Sequence, residues 1–222
     1  MAKTFLGESP SSRSAAAPAA VVFGNRVAPY HPLGAVEGAL RAIFERDFPV
    51  RCTEDVTELT TDIGDARLVI AYADTWETPL DEAAAAGLVR FVAAGGGLLV
   101  LHNGICWAKN PRVLPLMGAV FAGHPEQARL SYRLTGDHPI APGQGDFELQ
   151  EEPYRYDFAP DFSAEVFLHY EHEGRLWPAG WARTHGAGRV VVLQPGHRPA
   201  AFENTGYAAL VRRSARWCAR MI

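Results

Sequence analysis

Two nearly continuous apolar runs, each opened by glycine, end in a histidine: Gly95-Gly96-Gly97-Leu98-Leu99-Val100-Leu101-His102 and Gly188-Arg189-Val190-Val191-Val192-Leu193-Gln194-Pro195-Gly196-His197. An imidazole titrates near neutral pH and can serve as general base, general acid or metal ligand. An apolar run without alternation predicts a strand buried on both faces. Ligands of open parallel sheets sit outside the carboxyl ends of the strands. Two such strands running the same way would therefore bring His102 and His197 to one rim.

Other residues gather around the same predicted rim. His31, in Tyr30-His31-Pro32, follows the first strand, and Asp74 and Trp76 follow the third. The small-residue turn Asn103-Gly104 follows His102, and the acids Glu151-Glu152 follow a strand that starts at Phe147. A carboxylate beside two histidines can orient an imidazole, act as general base or complete a metal site. Trp76 can stack on a sugar ring or plug the end of the core. His31, His102 and His197 would form a site from three loops, and neutral imidazoles suit zinc or another first-row ion. The sequence has no HExxH, cysteine cluster or EF-hand loop to demand one. His169-Tyr170-Glu171-His172-Glu173 reads as a polar hairpin tip.

The elements that must position these residues alternate. A short strand at 19–24 leads to a helix at 34–48 striped by Val36, Leu40, Ile43 and Phe44. Strands are expected at 50–53 and 67–73. A helix follows, with Thr78 as N-cap and Pro79 in its first turn, carrying Leu88, Phe91 and Val92 to the Gly95-Gly96-Gly97 turn. After about Gly118 the pattern changes to short β-like pieces at 130–134, 147–149 and 165–170. The His197 strand and a helix over 207–221 close the chain. Alternating strands and helices predict a parallel sheet with right-handed crossovers.

Composition narrows the function classes. The 222 residues suit one large α/β domain, and 48% hydrophobic with 21% charged residues is ordinary for a soluble protein. A formal charge of -4 argues against nucleic acid, whose binders present a basic face. No apolar stretch approaches the roughly 20 residues that span a bilayer, so neither membrane nor nucleic acid is expected as a partner. Cys52, Cys106 and Cys218 have no CxxC spacing and read as free thiols. Residues 1–18, rich in Ser, Pro and Ala, lack the apolar core of a secretory signal and read as a flexible arm. The cytoplasm is the expected compartment. No glycine turn opens a helix after a strand as a phosphate loop would, and Gly-x-Ser-x-Gly is absent.

Short motifs follow one another along the chain: Tyr30-His31-Pro32, Leu99-Val100-Leu101-His102-Asn103-Gly104, Leu116-Met117-Gly118, Gly123-His124-Pro125, Asp137-His138-Pro139-Ile140, Glu151-Glu152-Pro153-Tyr154 and Gly188-Arg189-Val190 through Pro195-Gly196-His197. Their order resembles the ThuA-like (trehalose utilization) family. The resemblance runs from about residue 20 to 220. It implies a class I glutamine amidotransferase-like domain over residues 19–222: a flavodoxin-like three-layer α/β/α fold with a mainly parallel sheet and a β-rich extension in the C-terminal half. It also implies a bacterial role in carbohydrate metabolism, and carries His31, His102, Glu152, Tyr154 and His197 over as site positions, with His138 a further match. The superfamily places a nucleophilic cysteine where this chain has His102, and Cys106 lies four residues on, so glutaminase chemistry is not expected.

The combined expectation is an enzyme of disaccharide or keto-sugar metabolism working by acid–base chemistry, with or without a divalent metal such as zinc. His102, Glu152 and His197 are its catalytic candidates. His31, Asp74, Trp76, Asn103 and Tyr154 are its substrate-binding candidates, and His31, His102, Glu152 and His197 its candidate metal ligands. The expected partner is a small-molecule carbohydrate, and a homo-oligomer is compatible with the sequence. The competing readings are a non-catalytic sugar-binding accessory protein and a cysteine-dependent hydrolase using Cys106.

Overall fold

The computed structural model describes residues 19–222 except 62, 64, 136, 142 and 144, so the predicted arm at 1–18 lies outside the described residues. The first half alternates as expected. Strand β1 (Ala19–Phe23) leads to helix α1 (Leu33–Phe44), then β2 (Val50–Thr53), β3 (Ala66–Ala71), α2 (Glu82–Ala93) and β4 (Gly97–Leu101). A 3-10 segment (His102–Lys109) and the short helix α3 (Leu114–Met117) follow. The second half is rich in strands: β5 (Ala119–Gly123), β6 (Ala128–Leu134), β7 (Phe147–Glu151), β8 (Arg155–Phe158), β9 (Glu165–His172), β10 (Arg175–His185) and β11 (Gly188–Leu193). Helices α4 (Pro199–Glu203) and α5 (Thr205–Cys218) complete the chain.

Nine strands form one sheet in the order β2-β1-β3-β4-β11-β10-β9-β6-β7, while β5 and β8 pair separately. The expectation of a mainly parallel sheet holds only for the half from β2 to β11. Its pairs β1–β2, β1–β3, β3–β4 and β4–β11 are parallel, whereas β11–β10, β10–β9, β9–β6 and β6–β7 are antiparallel. Connection length explains the change. Parallel neighbours need a crossover, usually helical, but β9, β10 and β11 are joined by tight turns that permit only antiparallel pairing. Glu173 and Gly174 make the first of these turns at positive φ, and Gly186 helps make the second.

Helices cover both faces of the parallel half. Val22, Ile70, Leu99, Leu101, Val191 and Leu193 pack with Val36, Leu40, Leu210 and Val211 of α1 and α5 on one face. Val21, Val69, Leu98, Val100, Val190 and Val192 pack with Leu88 and Val92 of α2 and with Trp107 on the other. Each fully buried Val, Leu or Phe contributes about 1.5–3 kcal/mol relative to exposure. Alternate residues of one strand therefore face opposite cores, which is why these strands read as unbroken apolar runs.

Two boundaries differ from expectation for a local reason. The N-cap of helix α2 lies three residues beyond Thr78: it is Asp81, whose Oδ1 accepts 2.9 Å hydrogen bonds from the amides of Ala83 and Ala84. Asp and Thr cap by the same chemistry, and the acid adjoining the helix prevails. Helix α1 stops at Phe44, where the amides of Asp47 and Phe48 both turn back to its carbonyl before Pro49.

Chain order reverses between β1 and β3. The turns after β1 and β3 therefore diverge around a crevice at the carboxyl edge, the place where open α/β sheets bind ligands. His31 follows β1, Asp74 follows β3, His102 follows β4 and His197 follows β11.

Candidate functional site

Strand β4 ends abruptly so that His102 can leave the sheet. Its φ is 43°, a left-handed conformation that few non-glycine residues adopt. Two residues later the backbone passes β3 so closely that a Cβ on Gly104 would lie 2.1 Å from the Ala71 carbonyl oxygen. The glycine and the left-handed histidine together roll the chain into the 3-10 segment. The His102 ring is turned back across the end of β11, where Nδ1 donates to the Gln194 carbonyl at 2.7 Å.

Three further groups meet that ring. His31 Nε2 lies 3.2 Å from His102 Nε2 and 3.0 Å from His197 Nδ1. Glu152 Oε2 lies 3.3 Å from His197 Nδ1, 3.4 Å from His102 Nε2 and 3.8 Å from His31 Nε2. One donor atom from each of these four residues falls within 4.8 Å of all the others. These are the residue types that hold first-row divalent ions.

Each member of the cluster is held from outside. Asp74 Oδ1 lies 3.4 Å from His31 Nδ1, while Oδ2 accepts from the amides of Tyr30 and His31. Gln194 Nε2 donates to the Glu152 carbonyl at 2.6 Å, and Gln194 Oε1 accepts from Tyr132 at 2.7 Å. The buried Glu151 carboxylate accepts from the amides of Gly196 and His197. Tyr72 and Tyr207 donate to the carbonyls of Gly196 and Pro195.

Burial and partners set the charges. Burial drives the His102 pKa down to about 4, because the hydrogen bonds it makes do not offset loss of solvent. Burial also opposes charge on His31, but Asp74 and Glu152 outweigh it and raise the pKa. Burial alone would raise Glu152, yet the imidazoles of His102, His197 and His31 gathered around it hold it far below the usual carboxylate range. Burial pushes Glu151 up to about 8 against its backbone donors.

A cleft of about 340 Å³, lined by Tyr30, His31, Trp76, Phe121, His124, Glu152 and Tyr154, opens beside the cluster. Its wall is aromatic: Trp76 and Phe121 lie 4.8 Å apart and Phe121 and Tyr154 4.4 Å apart between ring centres. The Tyr154 ring stacks between His102 and His124. A second hollow of about 450 Å³ meets Glu152 and His197 from the other side, bordered by Gln127 and Arg198. A hollow of about 610 Å³ lies at the opposite edge of the sheet by Arg67, Arg90 and Gly96, and among the described residues that line it there is no imidazole or carboxylate.

The structure thus brings His31, His102, Glu152 and His197 together and sets Trp76 and Tyr154 on the adjoining wall. Neither Asp74 nor Asn103, both expected to touch substrate, lines either hollow. The Asp74 side chain is 1% exposed and engaged with the His31 turn. Asn103 is fully buried and borders neither hollow. His102 also lies behind the cleft lining, at 1% exposed. His138 is far from the cluster in contact terms, stacked on Phe167 and edge-on to Trp217. His169 and His172 fall on the β9–β10 hairpin. Reasoning from sequence missed the supporting roles of Gln194 and Glu151 and the cleft position of His124. Only the motif Gly123-His124-Pro125 drew notice to the last.

A family model described as ThuA, trehalose utilisation, matches residues 20–218. The chain belongs to the ThuA family. No curated protein sequence matches the chain. Among solved structures, this ThuA-family chain resembles a protein of Parabacteroides merdae described as ThuA-like, at TM-score 0.74 and 17% identity over 91% of this chain and 90% of that one. A second protein so described, from Bacteroides uniformis, gives TM-score 0.73 and 16% identity over 95% of each chain. The fold also matches part of a β-galactosidase from Rahnella sp. R3, at TM-score 0.65 and 14% identity over 90% of this chain but 31% of that one. At these identities the likeness is one of fold. Among the described residues no helix is long and apolar enough to cross a membrane.

The cysteine-dependent reading meets a chemical obstacle here. Cys106 is 1% exposed, and burial pushes its thiol up to about 11. Its sulfur is 3.1 Å from Thr75 Oγ1 and donates to the Ala73 carbonyl. A protonated, buried thiol is a poor nucleophile. Iodoacetamide on the native protein at pH 7.5 should leave Cys106 and Cys218 unmodified by mass spectrometry, and 6 M guanidinium should expose both. Rapid native labelling of Cys106 would restore the hydrolase reading.

Proposed function

We propose that this ThuA-family protein is an enzyme of carbohydrate metabolism that transfers a proton on a sugar, a disaccharide or keto-sugar unit, bound in the Trp76–Phe121–Tyr154 cleft. The observation that carries this reading is one small cleft combining an aromatic wall with an ionised carboxylate and an accessible imidazole. Sugar rings present apolar C–H faces to aromatic rings and hydroxyl groups to polar atoms, and this cleft offers both. The sheet order of the parallel half, β2-β1-β3-β4-β11, supports the flavodoxin-like reading of the fold, with its ligand at the β1/β3 switch point.

His124 is the imidazole best placed for the transfer. Its Nδ1 donates to the Pro125 carbonyl at 2.7 Å, so the neutral ring offers the lone pair of Nε2. Nε2 lies 3.7 Å from Glu152 Oε1. In the proposed step Nε2 takes a proton from carbon next to a sugar carbonyl, and Glu152 stabilises the imidazolium that forms. Returning the proton to a neighbouring atom gives isomerisation, and losing a leaving group gives elimination. His102 holds the cluster from behind and His197 borders the second hollow.

The test incubates the protein with keto-sugars and disaccharides in D2O and follows each C–H by proton NMR. Protein-dependent exchange of a hydrogen beside a carbonyl is expected. Trp76→Ala should weaken sugar binding about tenfold, the order of one aromatic contact of about 1.4 kcal/mol. Binding without exchange or conversion would favour the sugar-binding accessory protein.

A further inference from the structure

We infer that His31 Nε2, His102 Nε2, His197 Nδ1 and Glu152 Oε2 are the ligand atoms of a single first-row divalent metal ion. The argument starts from where the protons of the rings must be. His102 Nδ1 faces a backbone carbonyl at 2.7 Å, and a carbonyl can only accept, so Nδ1 carries the hydrogen. His31 Nδ1 faces the Asp74 carboxylate, which also only accepts at the neutral pH where Asp74 is ionised. When both rings are neutral, their Nε2 lone pairs point at each other across 3.2 Å. Glu152 Oε2 adds further acceptor density between 3.3 and 3.8 Å from the imidazole nitrogens.

His197 is the adjustable member. The Gln127 side-chain amide lies 2.9 Å from its Nε2. With the amide nitrogen there, His197 Nδ1 carries a hydrogen toward Glu152. With the amide turned over, its oxygen accepts from Nε2–H, and Nδ1 offers a third lone pair to the centre. The turn gives up the 3.4 Å contact between Arg198 and Gln127 Oε1.

A proton on His31 could bridge only one of these gaps. A cation at the centre meets all four atoms at once. Ligands bonded at about 2.0–2.2 Å in a tetrahedral site stand about 3.3–3.6 Å apart, and five of the six cluster separations run from 3.0 to 3.8 Å. Three imidazole nitrogens with one carboxylate select zinc, cobalt or a similar ion over magnesium or calcium, which prefer all-oxygen shells. Asp74 and the Gln194 carbonyl are the outer partners that metal-binding histidines require to fix ring and tautomer. Glu152 borders both hollows, so an ion there can be reached by a sugar oxygen.

The inference rests on cluster geometry and is read without turnover, so its failure leaves the proton-transfer proposal standing, and the reverse. Tag-free protein stripped with a chelator is titrated with Zn2+ and Co2+ by calorimetry, and the Co2+ form is followed by its visible spectrum. One ion per chain is expected, with Mg2+ giving no competing heat. His197→Ala and Glu152→Gln should each weaken Zn2+ at least about 100-fold, and Asp74→Asn about 10–100-fold through the His31 ring. Circular dichroism checks that each variant is folded, and His197→Ala and Asp74→Asn act on different ligands should one fail. Absence of binding by the native chain would overturn the inference. So would equal affinity in native and folded variant chains, which would place the ion elsewhere on the chain.

Discussion

Turnover should fall about 10²–10⁴-fold in His124→Gln, the range lost with a general acid or base, while the protein stays folded. The His124 side chain is 33% exposed at the mouth of the cleft, so its replacement opens no core cavity. Sugar affinity should change much less than turnover, because the lost interaction belongs to the transition state. Glu152→Gln should show a loss of similar size for a different reason: the amide cannot neutralise an imidazolium on His124. Its NH2 group can still donate toward a neighbouring imidazole, so the melting temperature should hold. Full activity in both variants, with native melting curves, would remove proton transfer from this cleft.

The largest loss of stability should come from Gln194→Leu. Gln194 and Tyr132 are both fully buried, and the amide joins the Tyr132 hydroxyl to the Glu152 carbonyl. Leucine is similar in size but leaves both of those groups without a partner. Each buried, unpaired polar group costs about 1–3 kcal/mol, so a loss of about 2–6 kcal/mol is expected. For a chain of this length that corresponds to a fall of roughly 5–15 °C in Tm. Urea melts of the two proteins measure it directly. An unchanged midpoint would mean that the bond network is not closed as the structure shows it.

The strands that carry three of the cluster residues were legible because they are covered on both faces. Burial on both sides makes β4 and β11 unbroken apolar runs, and their ends locate His102 and His197. Strand β10 was not legible. Pro178 and Gly180 interrupt it where its pairing with β9 shifts register, and Trp177, Arg183 and His185 break any simple alternation. Asp74 shows a different limit. Position after a strand places a side chain at the rim but not the direction it faces, and this one turns sideways to the His31 loop. Gln194 sits inside a run that reads as core, and nothing in its spacing reveals a polar partner forty-two residues away.

Glu152 reaches the cluster from β7, which pairs with β6 alone at the end of the nine-stranded sheet, whereas His102 and His197 extend from β4 and β11 at its centre. The site therefore joins two regions whose amide protons should exchange with solvent at different rates. Edge strands open by local fluctuation long before central ones do. One such opening would carry the carboxylate away while the imidazoles keep their places. The ligand that completes the cluster would then stabilise the sheet edge by linkage, so that occupancy of the centre is written in the protection of residues 147–151.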